Sequence, residues 1–91
     1  DQASLDQISD ASRLARRDGS ICDLRVRGDR LVVLLGDRRL EMPVWLEPTM
    51  RRIAGTPSFA LGDLADVLPD REGRAVLGRR LVREGLLRPL P

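Results

Sequence analysis

From residue 59 onward the chain is punctuated in a way that leaves few folds open. Phe59-Ala60-Leu61-Gly62-Asp63-Leu64 runs through Leu68 to Pro69-Asp70, an arginine-rich stretch spans Arg71 to Glu84, and Gly85 precedes Leu86-Leu87-Arg88. Leu61, Leu64, Ala65 and Leu68 recur at helical spacing, so residues 61–68 read as a helix facing inward. Pro69 breaks it, because proline removes a donor and restricts the residue before it. Asp70 is a good N-cap for a longer helix that reaches Glu84 and stops at Gly85. Gly73 and Gly78 weaken that helix by about 1 kcal/mol each relative to alanine, and their small size permits close packing. The apolar tail returns as a strand, kept short by Pro89 and Pro91. Helix, tight turn, longer helix and strand follow one another as in a helix-turn-helix unit with the first strand of a wing.

The preceding residues supply the rest of an α+β fold. Ser4 and Gln7 stand at capping-box spacing, and Leu5, Ile8, Ala11 or Ser12, and Ala15 recur at helical intervals up to a stop at Gly19. Residues 4–17 therefore read as an N-terminal amphipathic helix, and 1–19 as a linker or packing helix. Cys22, Leu24 and Val26 alternate with Asp23, Arg25 and Arg27, the pattern of a half-buried strand. Gly28-Asp29 and Gly36-Asp37 then punctuate the run Leu31–Leu35, and a Gly-first pair between apolar runs suits a type II′ hairpin. The result is a three-stranded antiparallel meander over residues 21–42. Its middle strand is apolar on both faces, so the C-terminal helices cover one side and the N-terminal helix or a partner domain the other. Pro43 ends the sheet, Glu47-Pro48 opens a helix, and Leu46, Met50, Ile53 and Ala54 form its apolar stripe before Gly55-Thr56-Pro57. Ser58-Phe59-Ala60 reads as a short strand. The expected architecture is an N-terminal helix, the meander, and a three-helix winged-helix-like unit, with 20–91 as one domain.

Composition limits the chemistry. All 16 basic residues are arginine, against 14 acidic ones, and lysine, histidine, tyrosine and asparagine are absent. The net charge of +2 is small beside the pI of about 9.9, which reflects arginine in place of lysine. A dedicated nucleic-acid binder usually carries a larger basic footprint. Without histidine the chain holds no Ser-His-Asp or Cys-His system and no histidine metal set. Cys22 stands alone, so it makes no intrachain disulfide and no cysteine zinc site; its place in the alternation reads as a buried small hydrophobe. The carboxylates are scattered, and no phosphate-binding glycine pattern appears. No apolar run approaches the roughly 20 residues of a membrane span, and the start has no signal-peptide pattern. A non-catalytic, cytoplasmic module is the expectation. Lacking an initiator Met, it reads as a trimmed piece of something longer.

Two features remain as candidate binding residues. On the long helix, Val76, Arg79, Arg80 and Arg83 lie opposite Leu77 and Leu81. This face reads as a nucleic-acid reader, a protein-docking face or a solvated face. Three phosphate contacts would give a log–log salt slope of about −2.7, a weak anchor for a monomer, and Val76 within the basic face suits a protein contact better. Trp45 reads as a core or domain-interface anchor, since with Phe59 as the other aromatic it makes no stacking platform. The arginine pairs Arg16-Arg17, Arg38-Arg39 and Arg51-Arg52 have acidic neighbours in Asp18, Asp37 and Glu47 and read as surface ion pairs of small individual worth.

Leu31-Val-Val-Leu-Leu-Gly-Asp-Arg-Arg-Leu-Glu-Met-Pro43, Glu47-Pro48, Met50-Arg-Arg-Ile53, Phe59-x-Leu61-x-Asp63-Leu64 and Leu77 through Arg80-Leu81-Val82-Arg83-Glu84-Gly85-Leu86-Leu87 together resemble a known tail. They are similar to the C-terminal winged-helix region of bacterial cupin-like, JmjC-type proteins related to ribosomal oxygenases. The likeness covers about residues 21–88 and is strongest over the last 30. It implies an accessory domain that packs on an upstream cupin barrel or on a homodimer mate. It also implies a parent 2-oxoglutarate-dependent hydroxylase whose Fe(II) and 2-oxoglutarate site belongs to the barrel; no catalytic residue is carried over here. A DNA-binding winged-helix regulator is one alternative. A peptide-recognition module of the PqqD type, adding a peptide strand to a sheet edge near Arg25 and Arg27, is another.

Overall fold

Alternation and the two Gly-Asp steps build the first sheet as the pattern demands. The computed structural model describes residues 5–91, and its strands are β1 (Arg13–Arg16), β2 (Asp23–Arg27), β3 (Arg30–Leu34), β4 (Arg39–Pro43), β5 (Ser58–Ala60) and β6 (Leu87–Pro89). Strands β2, β3 and β4 form an antiparallel meander in that order. Arg27 pairs with Arg30, leaving Gly28-Asp29 as a two-residue loop in which Gly28 takes φ 62°. That is the positive φ a type II′ turn asks of its first central residue. Leu31, Val33, Leu40 and Met42 point to one face and join the core. Val32 points to the other, between Arg25 and Glu41 on the flanking strands, and is still only 5 % exposed. Its cross-strand neighbours carry long side chains whose apolar stems can lie over such a position.

Helix α1 (Glu47–Ala54) follows a short 3-10 turn, Val44–Leu46, and has Pro48 in its first turn and Gly55 at its end. Met50 and Ile53 are buried, as the stripe requires, and so is Thr49, whose hydroxyl donates to the Val67 carbonyl at 3.2 Å. Helix α2 (Arg71–Arg83) starts at Asp70, whose carboxylate accepts from the Gly73 amide at 2.8 Å. Leu77 and Leu81 face the core. A Cβ at Gly78 would lie 3.3 Å from Leu61 and 3.5 Å from Ile8, so glycine sets this close approach.

Three expectations are corrected. Residues 61–68 do not form an α-helix: Leu61–Leu64 is a 3-10 turn, continued by bonds from Ala65 to Gly62 and from Val67 to Leu64. The three-residue spacing of Leu61 and Leu64 eclipses them on one side of such a turn. Both are buried there with Leu68, whereas Ala65 is exposed. The helix expected over 4–17 is also replaced. Ser4 lies outside the described residues, Leu5 and Asp6 are helical, and Arg13–Arg16 is a strand. Long-range pairing outweighs the local pattern, because β1 lies between β5 and β6 as the central strand of a second antiparallel sheet. Both Leu14 and Ala15 are buried in it, and Gly19 lies in a turn closed by the Ser20 amide on the Arg17 carbonyl, 3.0 Å, rather than at a helix end. Residues 13–16 thus belong to the folded unit and not to a linker. Lastly, the three-helix winged unit is not formed. The strand after α2 pairs with β1, and among the described residues the architecture is two three-stranded antiparallel sheets packed with α1 and α2 around one core.

One ion pair ties these parts together. Arg74 lies on the inward side of α2 and is 6 % exposed. Its Nε and Nη2 donate to the two Asp10 carboxylate oxygens at 2.9 and 2.7 Å, and its Nη1 donates to the Leu68 and Pro69 carbonyls at 2.8 and 2.9 Å. The same N-terminal segment accepts from the Leu61 and Gly62 amides through Ser12 and Asp10. These hydrogen bonds to the guanidinium hold the Asp10 carboxyl below its ordinary value and raise Arg74.

Two outcomes follow from this packing. Leu14→Ala, in the central strand of the second sheet, is expected to lower unfolding stability by about 2–5 kcal/mol in urea melts. Since the folded-state pKa of Asp10 is depressed, its contribution is present at neutral pH. It fades once pH falls below the ordinary carboxylate value of 3.8 and is gone below the folded value. Asp10→Asn should therefore lower the melting temperature at pH 7 and flatten the acid side of its pH profile; an unchanged acid limb would refute the linkage.

Candidate functional site

The free edge of β4 and the outer side of α2 face each other across a groove. Pro43, at φ −59° and ψ 142°, turns the chain out of β4 into the 3-10 turn, and the Val44 amide fixes that turn on the Asp29 carbonyl at 3.0 Å. This sets Trp45 at the surface, 64 % exposed; it is not a core residue. Helix α2 presents Val76, 53 % exposed, and one turn later Arg80. Leu40, Met42, Leu46, Leu68 and Leu77 make the apolar floor between them, and the groove measures about 320 Å³. Large exposed apolar side chains grouped over a concave surface mark an interaction site far better than single ones do.

Of the residues expected to act, the structure brings Trp45, Val76 and Arg80 together on this groove. Arg79 is set apart: half-buried, it lies 4.0 Å from Glu72, and its Nε is shielded from solvent without a hydrogen-bond partner among the described residues. Arg83 is exposed on α2, does not line the groove and makes no ion pair among the described residues. The arginine pairs choose other partners than their sequence neighbours. Glu84 is shared by Arg38 at 2.9 Å and Arg80 at 3.1 Å, and Glu41 by Arg39 at 3.1 Å and Arg30 at 3.9 Å. Arg52 pairs with Asp66 at 2.7 Å, and its hydrogen bonds hold that carboxyl low. Only Arg51 takes the neighbour expected, Glu47, at 2.7 Å.

The two outer edges of the meander differ. Antiparallel strands alternate between residues bonded to the partner and residues whose N–H and C=O point away. In β2 the register turns Leu24 outward, and its carbonyl is met at 3.1 Å by the Arg25 guanidinium of its own strand. In β4 the Leu35 amide bonds the Arg38 carbonyl at 2.8 Å, which makes Leu40 and Met42 the bonded positions and turns the Glu41 N–H and C=O outward into the groove. Cys22 is half-buried against the core beside β2, where burial pushes its thiol up.

Trp45 was singled out from the sequence as a core or interface anchor, but the groove it lines was not, because the groove draws on β4, the 3-10 turn and α2 at once. Arg74 and Asp10 were missed. The available signal was an arginine at the stripe spacing of Leu77, Gly78 and Leu81, where a charge must find a buried partner. Among the described residues no three His, Cys, Asp or Glu side chains converge, and no helix is long and apolar enough to cross a membrane. No protein-family model matches the chain, and comparison with curated proteins finds no match.

Because Val76 is exposed and stands outside the core, Val76→Asp should leave the urea stability within about 0.5 kcal/mol of the parent. Trp45 emission should be quenched by acrylamide in both proteins. A large loss of stability in Val76→Asp would show that the residue serves the fold and not a surface.

Proposed function

We propose that this chain is a non-catalytic docking module that binds another protein surface through the Trp45–Val76 groove. The observation that carries this reading is the exposure of both residues on opposite walls of one apolar groove. Aromatic side chains over apolar pockets are the usual anchors of protein interfaces. The resemblance in residues 21–88 supplies the partner class: an upstream cupin barrel of JmjC type, or the equivalent surface of a homodimer mate. Any Fe(II) and 2-oxoglutarate would be held by that barrel. The residues present here do not fit such a centre, since the chain has no histidine and its described carboxylates do not converge.

The nucleic-acid reading is weaker on the same geometry. Arg79 and Arg80 face glutamates of their own helix, and Arg83 alone of the three makes no ion pair among the described residues. Phosphate contact would have to displace those pairs, and counterion release from so few arginines is small.

The test is co-elution of the chain with a cupin barrel encoded with it, and light scattering of the chain alone. Trp45→Ala or Val76→Asp should weaken whichever association is seen by at least about tenfold, the scale of a central interface residue. Arg83→Ala should leave it unchanged. Association that survives both groove variants, or low-salt binding to duplex DNA that Arg83→Ala abolishes, would overturn the docking reading.

A further inference from the structure

We infer that the groove takes its partner as an extended, acidic segment that adds a strand to the free edge of β4. This rests on the docking reading and names the partner's chemistry. Three observations point the same way.

The first is hydrogen bonding. Glu41 offers an outward N–H and C=O beside the apolar floor. Backbone polar groups next to apolar surface are satisfied only by a partner or by water. A segment in β conformation brings the matching C=O and N–H at the right spacing, which is how strand addition gains affinity. A helix keeps its backbone groups for itself and leaves Glu41 unpaired.

The second is shape. Side chains of an added strand alternate in direction. Those on one side would meet Trp45 and Val76 over the floor of Leu68 and Leu77, while those on the other would face the outer side of the meander, where Glu41, Arg30 and Arg39 lie. The opposite edge of the sheet, β2, is blunted by Arg25 on the Leu24 carbonyl, and among the described residues β4 carries no such cap.

The third is charge. Two carboxylates are each shared by two guanidinium groups: Glu41, which lines the groove, by Arg30 and Arg39, and Glu84, at the end of α2, by Arg38 and Arg80. Each of these clusters therefore holds a surplus positive charge, one on the meander and one joining the meander to the end of α2. Carboxylates flanking the apolar residues of the incoming segment complement both, and lysines in their place face like charge.

The test uses the full chain with three synthetic hexapeptides. One alternates valine and glutamate, one alternates valine and lysine, and one is the glutamate peptide with alternate amides N-methylated. In the free chain the Glu41 amide should exchange with solvent much faster than those of Leu40 and Met42. The Val/Glu peptide should protect the Glu41 amide, shift Trp45 emission to the blue, and bind less tightly as salt rises. The Val/Lys peptide should bind at least about tenfold more weakly, and the N-methylated one should not protect Glu41. If all three bind alike through Trp45, strand pairing and charge selection both fall while docking by the groove stands. If none protects Glu41, the strand-addition inference fails and the docking reading is judged by the co-elution experiment. Duplex DNA that displaces the Val/Glu peptide and protects the same amide would replace this inference with nucleic-acid recognition.

Discussion

The fork between Arg74 and Asp10 is the contact on which the arrangement of this chain depends. A guanidinium enclosed between a helix, a turn and an N-terminal segment must have its donors met, because a buried charge without partners is costly. Here Asp10 meets two of them and the Leu68 and Pro69 carbonyls a third. The pair therefore sets where α2 starts, how the turn before it lies and where the segment leading into β1 runs. Such a pair is weak evidence for net stability, since apolar residues of equal volume often do as well. Its value lies in geometry: the planar fork accepts a carboxylate in one orientation, and other packings of the same elements leave the charge unmatched.

The groove is a by-product of that placement. With the turn pinned, α2 lies across from β4 at a separation that the Leu68 and Leu77 side chains fill from below but not from above. Trp45 stays outside because Pro43 turns the chain into a 3-10 turn instead of continuing the strand. Both walls are regular secondary structure, one a strand edge and the other a helix. Walls of this kind reduce the ordering cost of association, which suits a docking role.

Much of this was readable from residues near one another in sequence. The hairpins at Gly28 and Gly36, the start of α1 at Glu47-Pro48 and the Asp70 cap of α2 are local matters of backbone freedom and hydrogen bonding, and local rules found them. What local rules missed was decided over distance. The stripe from Leu5 to Ala15 is a fair amphipathic helix until β5 and β6 offer Arg13–Arg16 two ladders. Leu61, Leu64 and Leu68 are apolar at spacings that suit α-helix or 3-10 turn, and the bonds from Leu61 and Gly62 to the N-terminal segment select the latter. Of the candidate site, Trp45 and the Val76–Arg80 face were legible one by one. Their meeting on one groove was not, since it depends on α2 lying across from β4.

The second sheet carries a consequence for how the molecule is made. Its middle strand comes from the beginning of the sequence and one of its outer strands, β6, from the end. Closing so long a loop has an entropic cost that few early contacts repay, so a topology of this kind is slow to assemble and of high contact order. During synthesis β1 emerges well before β6, the neighbour it pairs with. The same adjacency puts Gln7 and Leu90 on one surface, so a circularly permuted version, joined there and opened at an exposed hairpin, keeps every ladder intact.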